Sequence, residues 1–451
     1  MTSDAEVAVL GLGKSGIAAT KLLLADGRRV YVSDSGTAPA VEDAARQLRD
    51  IGASVDTGGH DLARIKRAEK IVASPGIDPA APPISAAREA NRPIVSEVEI
   101  ALGYLTDTNV IAVTGTNGKT TTTALIGHIL RGMGEDAVDA GNIGTPLSDF
   151  ARRDLRPSWI ALEMSSFQLH DTPGLKPRVG VPTNLSPDHL DRYATEDEYY
   201  ADKALLFRNA DRDSHWVINA DDSRVGAMTE KVAGNKFRFS VRHDADAWLN
   251  DEKGTLELLG RTLMERDELN LLGNHNVANA LAASLAVAAA DPRFRTDDSR
   301  AAIANALKSF SSLKHRLEVV AEVDGVQWIN DSKATNVSST LVAIEGMRRP
   351  TVLLLGGKHK GEPYTGLSEA IRKNVKKIIA YGEAGPIIER DLKDTVPLEL
   401  LGSDFDEVIR HARESAVPGD AVLLSPACSS YDMFRNYEER GARFRQLATG
   451  K

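Results

Sequence analysis

Cysteine is nearly absent, with Cys428 the only one in 451 residues. This excludes an internal disulfide and any metal centre built on several thiolates, and it suits a reducing compartment. Aromatic residues make up only 5% of the chain. Trp159, Trp216, Trp248 and Trp328 are scattered and read as packing residues rather than a stacking platform. No long hydrophobic run exists either. The longest apolar stretch, 281–290, is broken by Ser284 and falls far short of the roughly 20 residues a membrane span needs. An excess of positive charge is also lacking: 55 Lys and Arg against 64 Asp and Glu leave −9. That excludes a broad basic surface for nucleic acid, but not a pocket for a few phosphates. Residues 1–13 place acids ahead of a short apolar run that turns glycine-rich, unlike a signal peptide. The expectation is a cytoplasmic protein with no nucleic-acid or membrane partner.

What is present is ordinary globular material. Apolar residues reach 42%, enough to exclude disorder as the main state. At roughly 150 residues per domain the length suggests about three domains. Three strand-then-glycine-turn signals match that number. The first is strand 7–10 followed by Gly11-Leu-Gly13-Lys-Ser-Gly16 and a helical pattern. The second is strand 110–113, then Gly115-Thr116-Asn117-Gly118-Lys119-Thr120-Thr121 and a helix. The third is strand 351–355, then Gly356-Gly357-Lys358-His359-Lys360. Such alternation predicts an α/β fold with parallel sheets that bind ligands at the C-terminal strand ends. The expected divisions are 1–105, 106–312 and 313–451.

The first turn sits where a dinucleotide fingerprint belongs, with Asp34 at the end of the next strand. Taken alone it favours NAD. Against that, the unit must end before the second nucleotide motif near 110, and Lys14 and Ser15 could serve any diphosphate. A tight turn without a ligand is the remaining reading. The second turn resembles a P-loop: backbone N–H groups would cradle phosphates, Lys119 would neutralise them and Thr120 would ligate Mg²⁺. Glu163 ends an apolar strand, so it is placed either to reach that metal or to cap the following turn. His189 ends another strand, in a comparable position, where it is either structural or a ligand. Residues 281–290 read as a buried alanine-rich helix, and 297–310 as a second helix. Lys373, Lys376 and Lys377 read as a solvated helix face, and Cys428 as structural.

The segments TGTNGKTTT, LEMSSFQL, NLSPDHLDRY, LLGNHNVANALAA, HRLE, INDSKATN, LLLGGKHKG and LLSPACSSYDMFRNYEERG occur in order from 114 to 441. Together they resemble the Mur ligases, ATP-dependent amide-forming enzymes of peptidoglycan precursor synthesis. INDSKATN and SPACSSYDMF point to the branch that adds D-glutamate. The resemblance implies a Rossmann-like N-terminal domain, a central P-loop-type ATPase domain and a C-terminal Rossmann-like domain. It implies a UDP sugar, UDP-N-acetylmuramoyl-L-alanine, held by Ser15, Asp34, Ser35, Ser74, Gly76, Asn142 and His189. ATP would meet residues 115–121, Asn276, Arg316 and Asp331. Mg²⁺ would meet Thr120, Glu163, His189 and a carbamylated lysine. Lys203 takes that last role, being the only lysine between Lys176 and Lys231. D-glutamate would meet Lys333, Thr335, Lys360, Ser430 and Tyr437. The catalytic set becomes Lys119, Glu163, His189 and Lys203, in a monomer. Another amino-acid ligase of the same superfamily, including a folylpolyglutamate synthetase, is the alternative within the class. An NAD-dependent oxidoreductase and a non-enzymatic nucleotide-binding scaffold are the alternatives outside it.

Overall fold

Buried strands alternating with helices build a parallel sheet covered on both faces. The computed structural model describes residues 5–153, 156–188 and 193–450, and these form three such sheets. The first has five parallel strands in the order Ser54–Thr57, Val30–Asp34, Val7–Leu10, Lys70–Ala73, Ile94–Val95. Its order reverses between Val7–Leu10 and Lys70–Ala73, which opens a crevice at their C-terminal ends. A full dinucleotide fold carries six strands. Here the fifth is only two residues long, and the next strand, Asn109–Thr114, belongs to another sheet.

The second sheet has nine strands. Its parallel centre sets Asn109–Thr114 between Val179–Pro182 and Trp159–Glu163, with Ala137–Gly141 at one edge. The opposite edge is the antiparallel run Ala247–Asn250, Thr255–Leu258 and Arg261–Glu265. The first two sheets share one apolar core. Buried polar contacts join them: Glu97 Oε1 accepts from Ser148 N at 2.5 Å, and Ser96 N donates to Asp171 O at 2.6 Å.

The third sheet has six strands. All run parallel except its edge pair Glu318–Val323 and Val326–Asn330. Alternate residues feed opposite faces, as a period of two requires: Ile329, Leu353 and Leu423 pack in one cluster, Trp328, Leu354 and Val422 in the other.

By internal contacts the chain divides into two units, Met1–Arg266 with Ala278–Leu307 and Asp267–Val277 with Lys308–Lys451. Helix Asn274–Ala290 begins in the second unit and continues in the first, and residues 281–290 are buried throughout. Helix Asp297–Ser309 falls where expected. Trp159, Trp216 and Trp328 are buried packing residues. The lysine face is a correction. Only Lys373 is helical; Lys376 and Lys377 lie on strand Val375–Tyr381. They pair with Asp420 at 2.5 Å and Glu399 at 2.7 Å, partners too distant in sequence for a local pattern to reveal.

Candidate active site

The phosphate-type loop is shaped by two glycines. Gly115 has φ +142°, and a Cβ on it would lie 2.0 Å from Thr183 Oγ1; Gly118 has φ +81°, with a Cβ 2.4 Å from Asn279 Oδ1. No other residue fits either place. Gly118 is the N-cap of helix Lys119–Gly132 and supplies no side-chain cap, so backbone N–H groups and the helix dipole face the loop, the arrangement that holds anions. Thr120 and Thr121 fall in the helix's first turn. The 183–186 segment braces the loop from behind. Asn117 N donates to Asn184 Oδ1 (2.8 Å), Asn184 Nδ2 donates to Asn117 O (2.9 Å), and Thr116 Oγ1 donates to Ser186 O (3.0 Å). This bracing by Thr183 and Asn184 has no sequence signature beyond a polar strand end.

Two lysines converge on one carbonyl. Gly115 O accepts from Lys119 Nζ at 3.0 Å and from Lys203 Nζ at 2.7 Å. Lys203 is 1% exposed, and its Nζ lies 4.5 Å from the centre of the Tyr199 ring. Burial first, and then the neighbouring Lys119, holds its ammonium well below the usual lysine range. Two charged ammonium groups cannot share this dry corner cheaply.

Glu163 ends its strand in register with Val113, immediately before the loop. It is 2% exposed. Asn142 Nδ2 donates to its Oε1 at 3.0 Å, while its Oε2 is buried without a hydrogen-bond partner among the described residues. The next helix, Ser166–His170, is capped by Ser165 and Gln168 instead, which removes the capping role for Glu163. A buried, unpartnered carboxylate oxygen beside a phosphate-type loop fits a hard cation. Mg²⁺ is usually held by one or two carboxylates together with substrate phosphate oxygens rather than by an all-protein cage. His189 lies outside the described residues. Asn279 closes the 274–279 end of its helix, the end the sequence turns toward ligand, and its Oδ1 accepts from Thr122 Oγ1 at 3.2 Å, packed on the loop. Asn276, in the other unit, donates from Nδ2 to Leu272 O at 2.8 Å.

In the first sheet the three glycines have separable jobs. A Cβ on Gly16 would meet Gly11 O at 2.0 Å, one on Gly11 would meet Ser74 Oγ at 2.8 Å, and one on Gly13 would meet nothing within 4 Å. Two glycines therefore pack the turn, and the third leaves open backbone at a helix N-terminus. Ser15 is the second residue of that helix. Ser74 Oγ is buried without a hydrogen-bond partner among the described residues. Asp34 is oriented by two backbone N–H groups, accepting from Leu12 N in the glycine turn and from Gly36 N at 2.7 Å each, with exposed Ser35 beside it. A cavity of about 220 Å³ opens beside Ser74, walled by Ile77, Ile84 and Phe167 with Asp171 at its polar end. Burial raises the Asp171 carboxyl to about 6.

In the second unit a buried arginine gathers the remaining site residues. Arg440, 1% exposed, donates from Nε to Ser332 Oγ (3.0 Å) and from Nη2 to Ser332 O (2.9 Å) and Cys428 O (3.1 Å). Its Nη1 donates to Ser429 O (3.3 Å) and Gly356 O (3.4 Å). One guanidinium thereby ties together the loops that carry Lys333 and Thr335, Lys358 and Lys360, and Ser430. Ser332 Oγ also donates to Tyr437 O at 2.9 Å, which brings in the fifth residue. Lys333 Nζ sits 5.5 Å from the Tyr437 ring centre, and Lys360 Nζ donates to Thr335 Oγ1 at 3.4 Å. Cys428 is structural: it bonds Tyr364 Oη at 2.9 Å, and burial raises its thiol to about 11. Asp331 accepts from Ser425 Oγ (2.8 Å) and Leu317 N (3.2 Å); burial pushes its carboxyl to about 7. Arg316 is held between two residues with left-handed backbones, His315 at φ 64° and Leu317 at φ 42°. Strain of this kind persists only where the surroundings impose it.

Three family models match the chain: a Mur ligase MurD-like N-terminal domain at 5–96, a Mur ligase middle domain at 113–287, and a Mur ligase glutamate ligase domain at 315–428. The chain is 41% identical to a UDP-N-acetylmuramoylalanine–D-glutamate ligase of Anaeromyxobacter dehalogenans, covering 98% of this chain and 97% of that one. It is 37% identical to the enzyme of the same name from Koribacter versatilis, covering 98% and 96%. Among solved structures, a pseudomurein peptide ligase type C from Methanothermus fervidus shares the fold, with TM-score 0.62 at 19% identity over 99% of both chains. With this likeness running from end to end, the chain belongs to the Mur ligase family.

Proposed function

We propose that this chain joins D-glutamate to UDP-N-acetylmuramoyl-L-alanine at the expense of ATP, in peptidoglycan precursor synthesis, as a cytoplasmic monomer. The observation that carries this reading is the full-length likeness to relatives named as D-glutamate ligases, because a phosphate loop alone specifies no acceptor. The domains 1–105, 106–312 and 313–451 take the UDP sugar, ATP and the amino acid respectively.

An amide cannot form from a carboxylate in water without activation. A carboxylate oxygen of the alanyl group attacks the γ-phosphorus, ADP departs, and an acyl phosphate remains. The D-glutamate amine then attacks the acyl carbon, and the tetrahedral adduct collapses with loss of inorganic phosphate. Phosphoryl transfer of this kind depends on positioning and charge neutralisation. Lys119 and Arg316 neutralise the phosphates, residues 115–118 cradle them, and Asn276 and Asp331 hold the nucleotide. Thr120, Glu163, His189 and a carbamate on Lys203 hold Mg²⁺, which when bound supplies further charge neutralisation at the transferring phosphoryl group. Ser15, Asp34, Ser35, Ser74, Gly76, Asn142 and His189 bind the UDP sugar. Lys333, Thr335, Lys360, Ser430 and Tyr437 receive D-glutamate, whose two carboxylates suit the two lysines.

ADP release measured with the UDP sugar, ATP and a panel of amino acids tests the reading. D-glutamate alone is expected to support turnover. Release with L-glutamate or meso-diaminopimelate, and none with D-glutamate, would move the chain to another ligase of the superfamily.

A further inference from the structure

His60 belongs to none of the motifs above. The order of loops along the C-terminal edge of the first sheet gives it a place. The switch point, with the 11–16 turn and Ser74, is where a diphosphate lies in a sheet of this order. One strand outward stands Asp34, paired in register with Thr57 at the end of the outermost strand. The loop after Thr57 is tied back to Asp34, with Gly59 N donating to Asp34 O (3.3 Å) and Gly58 N to Gly36 O (3.2 Å). His60 is therefore the next side chain beyond Asp34 on the path leading away from the diphosphate turn.

The ring is held for contact. Its Nδ1 is hydrogen-bonded to Ser33 Oγ at 2.8 Å, and Ser33 is fully buried. The imidazole is half-buried, and its Nε2 makes no hydrogen bond among the described residues. Burial holds the ring below the usual histidine range, against the pull of Asp34, and so favours the neutral form. Fixing Nδ1 fixes what Nε2 offers, a donor in one tautomer and an acceptor in the other. Uracil presents acceptor, donor and acceptor along one edge, so it can answer either.

Resting on the proposed reading of the first domain as a UDP-sugar site, we propose that His60 is a binding residue that contacts the uracil of the nucleotide sugar through Nε2. The contact lies far from the alanyl carboxylate, so it stabilises ground and transition states alike and acts on KM rather than kcat. His60→Ala and His60→Gln, assayed with all three substrates and with UDP as a competitive inhibitor, test it. One lost hydrogen bond corresponds to about a 3- to 10-fold change. The expected result for His60→Ala is that much rise in the KM for the UDP sugar and in the inhibition constant of UDP. The KM for ATP, the KM for D-glutamate and kcat stay within about twofold. His60→Gln, which keeps a polar group, recovers part of the loss. Unchanged UDP inhibition in both variants would overturn the assignment, as would a joint rise of all three KM values with a lowered melting temperature, the mark of a structural role. Absence of UDP inhibition in the unmodified enzyme would instead overturn the UDP-sugar reading itself.

Discussion

Lys203→Ala is expected to lose about a hundred- to a thousand-fold in kcat, the scale of removing one preorganised electrostatic group from an active site, and to regain part of it in acetate or formate. The reasoning starts from Gly115 O, which two Nζ atoms share. A second ammonium beside Lys119 repels it and repels a divalent cation. The carbamate proposed for Lys203 would form as the lone pair of its neutral amine makes a C–N bond to CO₂ and one proton leaves to solvent. That exchange would turn a repelling group into one with oxygen ligands, while the remaining N–H could keep its bond to Gly115 O. A small carboxylate diffusing into the space left by Ala supplies the same oxygens. Turnover in steady-state ADP release checks this, and near-normal turnover of the Ala variant would show that no carbamate is needed.

Arg440→Met is expected to cost more than about 3 kcal/mol of stability, since each buried acceptor left unsatisfied costs about 1–3 kcal/mol and five hydrogen bonds are lost. Arg440→Lys keeps the charge but has three donors and no planar fork, so it folds with a smaller loss. Its discriminating readout is kinetic. The loops bearing Lys333, Lys360 and Ser430 lose their common anchor, and the KM for D-glutamate rises about tenfold or more while the KM for the UDP sugar is unmoved. Equal shifts in both KM values, or a D-glutamate KM within about twofold of the unmodified enzyme, would remove Arg440 from this positioning role. Urea unfolding and initial-rate measurements on the two variants give the answer.

The parts of this site that sequence reasoning reached are those whose cause is local. Strands Val7–Leu10, Asn109–Thr114 and Thr351–Gly356 are buried throughout or nearly so, and their apolar runs followed by glycine turns are visible over a few residues. The ambiguity of the first turn was physical rather than a shortage of pattern. Gly11 and Gly16 are demanded by contacts within the turn itself, so the motif reads the same whichever diphosphate it meets. What stayed hidden is long-range. Arg440 draws on acceptors from 11 to 108 residues away. Lys376 finds Asp420 across 44 residues, and an arginine in a helical pattern otherwise looks like surface. Asn184 reaches the phosphate loop the same way, through the fold and not along the chain.

The central claim is that the alanyl carboxylate is activated as an acyl phosphate, and its most direct test is an isotope measurement. With UDP-N-acetylmuramoyl-L-alanine labelled with ¹⁸O in its carboxylate, one labelled oxygen bridges to phosphorus and leaves with it. Mass spectrometry of the released phosphate is predicted to find one ¹⁸O per amide bond formed. Unlabelled phosphate accompanying amide formation would contradict the mechanism.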